Sequence, residues 1–355
     1  MFSPKKTAST IILMLFLSFP VTSFLIFPAN ATDDSWVTLE PSPMGNNPVG
    51  VAAVGGKIYA FSWSSNQEYD PTTDTWSSKT PIPTSRILFG TAVVNNKIYV
   101  IGGQTNTQIY NITEVYDPQT DTWETKSEFK TWREFPVVNA VNGKIYVMAG
   151  IRRGIVNAIG ISVTEIYDPE TDIWTTGTPI PAFNGTPGEV SLEILTSAVL
   201  DDKIFVIHEN TTYVYDTNTD SWNYGAPFPV NIENAGAGAT TGEFAPKRIY
   251  VMGGYISPRN FLNNQTYVYN PETDAWTTCT PMPTLRYHVA VAVVEDRLYA
   301  IGGNNGHNYI TVNEMYTPTG YIPEFSSWII LPLLLTATLI AVLFKKRLAT
   351  TASNS

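Results

Sequence analysis

One eight-residue phrase, Tyr-Asp-Pro-x-Thr-Asp-x-Trp or a near variant, occurs five times in this chain, with Tyr and Trp always seven positions apart. The pairs are Tyr69/Trp76, Tyr116/Trp123, Tyr167/Trp174, Tyr215/Trp222 and Tyr269/Trp276, and successive copies lie 47 to 54 residues apart. A period of that size marks stacked supersecondary units, none of which can bury its apolar faces without a neighbour. A second phrase recurs upstream in six copies: Lys57-Ile-Tyr-Ala-Phe, Lys97-Ile-Tyr-Val-Ile, Lys144-Ile-Tyr-Val-Met, Lys203-Ile-Phe-Val-Ile, Arg248-Ile-Tyr-Val-Met and Arg297-Leu-Tyr-Ala-Ile. These runs are rich in β-branched and aromatic residues and apolar at consecutive positions, which suits a short strand covered on both faces. Gly pairs close three of them, Gly102-Gly103, Gly253-Gly254 and Gly302-Gly303. After such a strand they predict a bend where two backbones approach, not a phosphate cradle. The Asp-Pro step is turn chemistry, because Pro presets φ and the carboxylate caps nearby amides.

Each unit therefore reads as four strands: an apolar one such as 90–94, the Lys-Ile-Tyr strand, a strand ending in Tyr and a strand opening with Trp. This arrangement resembles the kelch family of β-propellers over roughly residues 33–318. The resemblance implies an all-β, six-bladed ring, although only five Trp repeats are complete. The sixth Tyr, Tyr316, has no following Trp, but Asp34-Ser-Trp36 with Pro41 and Pro43 repeats the spacing of Asp74-Thr-Trp76 with Pro81 and Pro83. The N-terminal strand is thus expected to complete the blade begun by the C-terminal repeat, which would remove the open sheet edge. The single cysteine, Cys279, excludes an internal disulfide, and a domain of this size can form a sufficient core without one.

The ends predict export and anchoring. Lys5-Lys6, an apolar run from 11 to 27 and Ala29-Asn-Ala31 make a signal peptide over residues 1–31, with the mature chain starting at Thr32. Residues 32–320 form the propeller and 321–325 a juxtamembrane linker. Residues 326–344 are almost uncharged and as a helix would span about 28 Å, a bilayer core. Lys345-Lys346-Arg347 opens a short basic tail, which the positive-inside rule keeps in the cytoplasm, leaving the propeller extracellular. Pro323-Glu-Phe325 before the span resembles the archaeal PEF-type C-terminal sorting signals. Sequons at Asn111, Asn210 and Asn264 suit a glycosylated exterior.

A propeller hosts binding and catalysis alike, so function is sought on its faces. The first-to-second and third-to-fourth strand turns share one face, and twelve of the fourteen Asp are expected there, all except Asp33 and Asp34. The opposite face carries segments of varied length, 104–112, 151–163, 184–195, 231–244, 255–266 and 304–311, the usual place for recognition. Arg86, Arg133 and Arg286 occupy one repeat position before the innermost strand, flanked by Trp132, Glu134, Tyr287 and His288. Three guanidiniums ringing the channel mouth would favour an anionic ligand.

The kelch resemblance implies two catalytic possibilities. Copper radical oxidases acting on galactose use a Tyr-His pair that Tyr287-His288 resembles, although the remaining copper ligands find no match. Exported sialic acid mutarotases suggest Arg133-Glu134 and Arg286 for anion binding, with Glu134 and His288 for proton transfer. No nucleophile elbow, P-loop or paired metal-ligand motif occurs, so neither metal nor cofactor is expected. A charge of −14 over residues 32–320, from 16 basic and 30 acidic residues, disfavours nucleic acid. The expected function is a non-catalytic, membrane-tethered binding scaffold for a protein or glycan, the alternative being a carbohydrate mutarotase or epimerase.

Overall fold

The computed structural model describes residues 33–322, apart from 46, 154–157, 182–194 and 259–260. The expected signal peptide, PEF motif, membrane span and basic tail lie outside the described residues. Among the described residues all regular structure is β, and no helix is long and apolar enough to cross a membrane.

Six antiparallel four-stranded sheets follow one another along the chain. The first comprises Gly50–Val54, Lys57–Ser62, Ser65–Asp70 and Thr75–Ser78; the second Gly90–Val94, Lys97–Ile101, Thr113–Asp117 and Thr122–Lys126. The third holds Val137–Val141, Lys144–Met148, Thr164–Asp168 and Ile173–Gly177; the fourth Thr196–Leu200, Lys203–His208, Thr211–Asp216 and Ser221–Tyr224. The fifth holds Gly236–Ala239, Ile249–Met252, Thr266–Asn270 and Ala275–Cys279. The sixth takes Ala290–Val294, Arg297–Ile301 and Asn313–Thr317 from one end of the domain and Ser35–Leu39 from the other, with Trp36 opposite Tyr316. The six innermost strands touch in a closed cycle.

The apolar second strands are buried along almost their whole length, as their unbroken hydrophobicity predicts. Core clusters straddle neighbouring sheets: Tyr59, Phe61 and Ile82 of the first unit pack with Ile98 and Tyr116 of the second, and Ile58 and Tyr69 pack with Tyr299 and Ile301 of the sixth. No sheet covers its own faces, which is why the sequence must repeat. The Gly pairs are bends of close approach: Gly102 and Gly103 have φ of +68° and +95°, and an added Cβ would lie 2.9 Å from the Arg133 carbonyl and 2.6 Å from that of Ile87.

Every Asp-x-Trp phrase makes the same joint. Asp74, Asp121, Asp172, Asp220, Asp274 and Asp34 all have φ near +50°, a conformation Asp tolerates better than most residues. Each accepts the hydroxyl of the buried Tyr of its own sheet: Tyr69, Tyr116, Tyr167, Tyr215, Tyr269 and Tyr316 respectively. The same carboxylates accept the backbone N–H of Glu40, Thr80, Ser127, Thr178, Ala226 and Thr280, each just past the outermost strand of the preceding sheet. The indoles of Trp76, Trp123, Trp174, Trp222, Trp276 and Trp36 donate to the carbonyls of those same residues.

Two expectations about the faces are corrected. Asp34 is not an exception among the aspartates, because it forms the sixth joint, and the Asp33 carboxylate accepts the Gly320 N–H on the same side. Residues 231–244 are not one variable loop: 236–239 is an innermost strand, and 240–248 is a long first-to-second turn on the opposite face. That turn is held by Asp296, whose carboxylate accepts the N–H groups of Thr241, Phe244 and Ala245.

Ring closure hangs on Asp34. Burial works against its ionised form, but bonds from Thr280 and Tyr316 outweigh it and hold the carboxyl below its ordinary range. Asp34→Ala, which strands the buried Tyr316 hydroxyl, is expected to cost about 1–3 kcal/mol in urea unfolding, and Asp34→Asn, which keeps an acceptor, less than about 1 kcal/mol.

Candidate functional site at the channel mouth

Arg86, Arg133 and Arg286 are fully buried, which corrects the expected ring of guanidiniums at the mouth. Each is spent inside its own unit. Arg86 pairs with Glu114 and donates to the carbonyls of Thr84, Val100 and Gly102. Arg133 pairs with Glu165 and reaches the carbonyls of Ala149 and Val163. Arg286 pairs with Glu314 at 2.8 Å and reaches those of Ala300, Gly302 and Val312. Burial pulls Arg133 and Arg286 down to about 10, opposed by Glu165 and Glu314, so both stay charged at neutral pH. The sequence held a signal for this pairing: the units with the Arg are those with Glu two positions before the Tyr, where the others have Gln67, Tyr213 and Tyr267.

The mouth is lined instead by the position two residues beyond the Arg. Leu88, Phe135, Asn234 and His288 all sit there with φ between +51° and +58°. Positive φ is unfavourable for Leu and Phe, and such residues cost on the order of 1–3 kcal/mol each. Backbone bonds between neighbouring units hold them, Phe135 N–H to the Leu88 carbonyl and His288 N–H to the Asn234 carbonyl, both 2.8 Å.

These four residues, with Pro48, Val49, Phe89, Ala235 and Val289, line a cavity of about 140 Å³. A larger space of about 390 Å³ lies among the innermost strands, where Asn139 bonds Ser197 at 3.0 Å. Two buried polar atoms of the smaller cavity's lining, Asn234 Oδ1 and His288 Nε2, have no hydrogen-bond partner. The other His288 ring nitrogen lies 3.3 Å from the Tyr309 hydroxyl, and the ring packs near Phe135 and Tyr287. Burial pushes His288 down to about 4, so it is neutral at physiological pH.

The remaining predicted residues separate. Glu134 is buried, with its N–H and carbonyl bridged to Ile151. Tyr287 packs against Tyr255 with tilted rings 4.3 Å apart, and Trp132 is 55% exposed. Asn210 is exposed, whereas the side-chain amides of Asn111 and Asn264 donate to the carbonyls of Phe129 and Met282. Burial raises the Cys279 thiol above its ordinary value. Among the described residues no three His, Cys, Asp or Glu side chains group as metal ligands.

Removing Glu114 by Glu114→Gln leaves a buried charge and is expected to cost about 3–5 kcal/mol in chemical denaturation, while the paired change Arg86→Met/Glu114→Leu costs less. His288 has a depressed folded pKa, so the unfolded chain binds its proton first. Stability is therefore complete above about pH 6.5 and falls by up to about 3 kcal/mol as pH drops towards 4. Urea midpoints of His288→Asn measured across that window should fall less steeply than those of the wild type.

The sequence profile described as Kelch motif matches residues 85–130, 131–181, 244–283 and 285–332, just over half of the chain. Human Kelch-like protein 4 is 42% identical over 48 residues, 14% of this chain and 7% of that protein. The Xenopus laevis influenza virus NS1A-binding protein homolog is 40% identical over 74 residues, 21% of this chain and 11% of that protein. The chain thus matches only a small part of the length of these curated relatives. The solved structure of YjhT superposes with a TM-score of 0.65 at 17% identity, covering 78% of this chain and 95% of that one, and so shares the fold. By its matched repeats and its ring of four-stranded sheets, this chain belongs to the kelch-repeat family of β-propellers.

Proposed function

We propose that the chain is a six-bladed kelch propeller acting as a non-catalytic binding scaffold at the cell surface, exported through its N-terminal segment and held by the span 326–344. The carrying observation is the contrast between its faces. One face is built mainly of two-residue turns and repeated joints. The other carries extra pairings, Ile151–Arg153 with Ala158–Gly160 and Tyr255–Ile256 with Phe261–Leu262, and exposes Trp132, Phe261 and Leu285 at 55, 60 and 48%. Exposed aromatic and aliphatic groups on a rigid frame are suited to serve as anchors for a partner.

The chain ends support the same orientation. Asp33 bonds Gly320, and Ile322 N–H donates to the Phe244 carbonyl, so both ends of the ring leave from the regular face. An anchor following residue 322 would leave the variable face pointing away from the membrane. The NS1A-binding relative is named for a protein partner, which favours a protein here, with a glycan as the other candidate. A sialate mutarotase-like reading loses support from the burial of Arg133 and Arg286, since no free guanidinium of the three meets an acidic sugar.

The test uses the purified full chain against a cell-surface extract and a glycan array. Trp132→Ala, Phe261→Ala and Leu285→Ala should each weaken capture of a retained partner about tenfold without lowering the melting temperature. Ile173→Ala, exposed on the regular face, should leave it unchanged. Equal losses on both faces, or none, would overturn the proposal.

A further inference from the structure

We infer that residues 318–322, where the chain leaves the sixth sheet, act as a clasp that holds the seam of the ring shut, and that the long turn 240–248 of the fifth unit is its receptor. The sixth sheet needs such a device more than the others do. In units one to five a short turn of the chain joins the third strand to the fourth, as 71–74 does in the first unit. In the sixth, Asn313–Thr317 and Ser35–Leu39 pair with no turn between them. A strand at the edge of a domain opens at little cost in free energy unless it is tied down.

Three departures from the repeat converge on one side chain, Tyr321. The first-to-second turns of the other units are two residues long, as at 95–96 and 295–296, whereas that of the fifth runs over 240–248. Asp296 of the sixth unit fixes this turn by accepting the N–H groups of Thr241, Phe244 and Ala245, and the Phe244 ring stacks with that of Tyr321, centroids 6.2 Å apart. The Lys that opens the second strand in units one to four pairs with the Asp following the repeat Tyr, as Lys97 does with Asp117 at 3.0 Å. The sixth unit has Arg297 and Thr317 at those positions, and with no carboxylate at 317 the guanidinium lies over the Tyr321 ring instead, 4.4 Å from its centroid. Gly320, finally, takes a φ of +77° beside Pro246, a conformation other residues rarely adopt, and the fold-back leaves Tyr321 only 9% exposed.

Backbone bonds complete the clasp. Asp33, just ahead of the closing strand, accepts the Gly320 N–H at 2.9 Å, so the two segments flanking the seam are tied directly to each other. The Ile322 N–H donates to the Phe244 carbonyl at 2.7 Å, which ties the same segment to the fifth unit. Five residues thus connect the closing strand, the fifth unit and the sixth. A pull on the chain beyond residue 322 meets the turn 240–248 before it reaches Asn313–Thr317, the strand on which Ser35–Leu39 depends. In a chain tethered beyond that point the clasp keeps tension off the seam.

Native-state hydrogen exchange of the full chain provides the test, with Ser35–Leu39 and Asn313–Thr317 compared against the matching third-unit strands, Thr164–Asp168 and Ile173–Gly177. Tyr321→Ala should speed exchange in the two seam strands about tenfold and leave the third unit unchanged. Arg297→Lys keeps the charge but not the planar guanidinium, so it should give a smaller rise at the same amides, and it stands in if Tyr321→Ala does not fold. Ile322→Ala removes an exposed side chain but keeps the N–H bond to Phe244, and should match the wild type. Unchanged seam exchange in Tyr321→Ala, or in Arg297→Lys where the former does not fold, would overturn the clasp. So would a rise shared equally by the third unit, or one as large in Ile322→Ala.

Discussion

The structure depends on one joint repeated around the ring, in which a carboxylate and an indole from one sheet take the two backbone polar groups of a single residue in the sheet before. At Thr80 the N–H goes to Asp121 and the carbonyl to the Trp123 indole. Each sheet ends in an outer strand that would otherwise leave its terminal backbone groups to water, and the next sheet satisfies them. The Tyr packed against the Trp, with tilted rings 4.9 to 5.2 Å apart, donates its hydroxyl to the same carboxylate, so burial, aromatic contact and hydrogen bonding meet at one point. Substituting Asp here touches a core tyrosine and a neighbouring backbone together.

Most of this frame was legible because repetition turns weak local signals into strong ones. Tyr and Trp at a fixed interval recur five times, Gly pairs after an apolar run three times, and the Asp34/Trp36 phrase at the wrong end of the chain had five copies to be compared with. The site was less legible. Arg86 was visible as a repeat position, but its partner Glu114 lies 28 residues onward in another strand, and only the covariation of Arg with Glu across units hints at the pairing. An arginine that pays its own desolvation by pairing inside the fold looks, in sequence, the same as one offered to a ligand.

The mouth residues illustrate a different limit. Leu88 and Phe135 are ordinary apolar residues with no turn signature, yet their backbone is left-handed because the link between units must reverse within a few residues. Tertiary geometry overrides local preference there, and nothing in the composition announces it. The fifth unit misled for a related reason: its innermost strand is built of Gly and Ala, and its first hairpin is a long turn fixed by Asp296 instead of two residues. Gly236 and Gly238 cannot take larger side chains because Val289, Val291 and Val293 of the next unit press against them, so the strand lacks the β-branched run found elsewhere.

The sixth sheet draws its outer strand from the beginning of the domain and its other three from the end, and Trp36 bonds Thr280 across 244 residues. Closing a loop of that length is thermodynamically tolerable, since the entropic cost grows only with the logarithm of its size, but it is slow relative to local hairpins. The strand made first is therefore the last to be placed. Until the final repeat has been synthesised, Ser35–Leu39 has no partner and Tyr316 has no carboxylate to meet. The ring thus keeps a single seam, and the order of synthesis decides which strand waits at it.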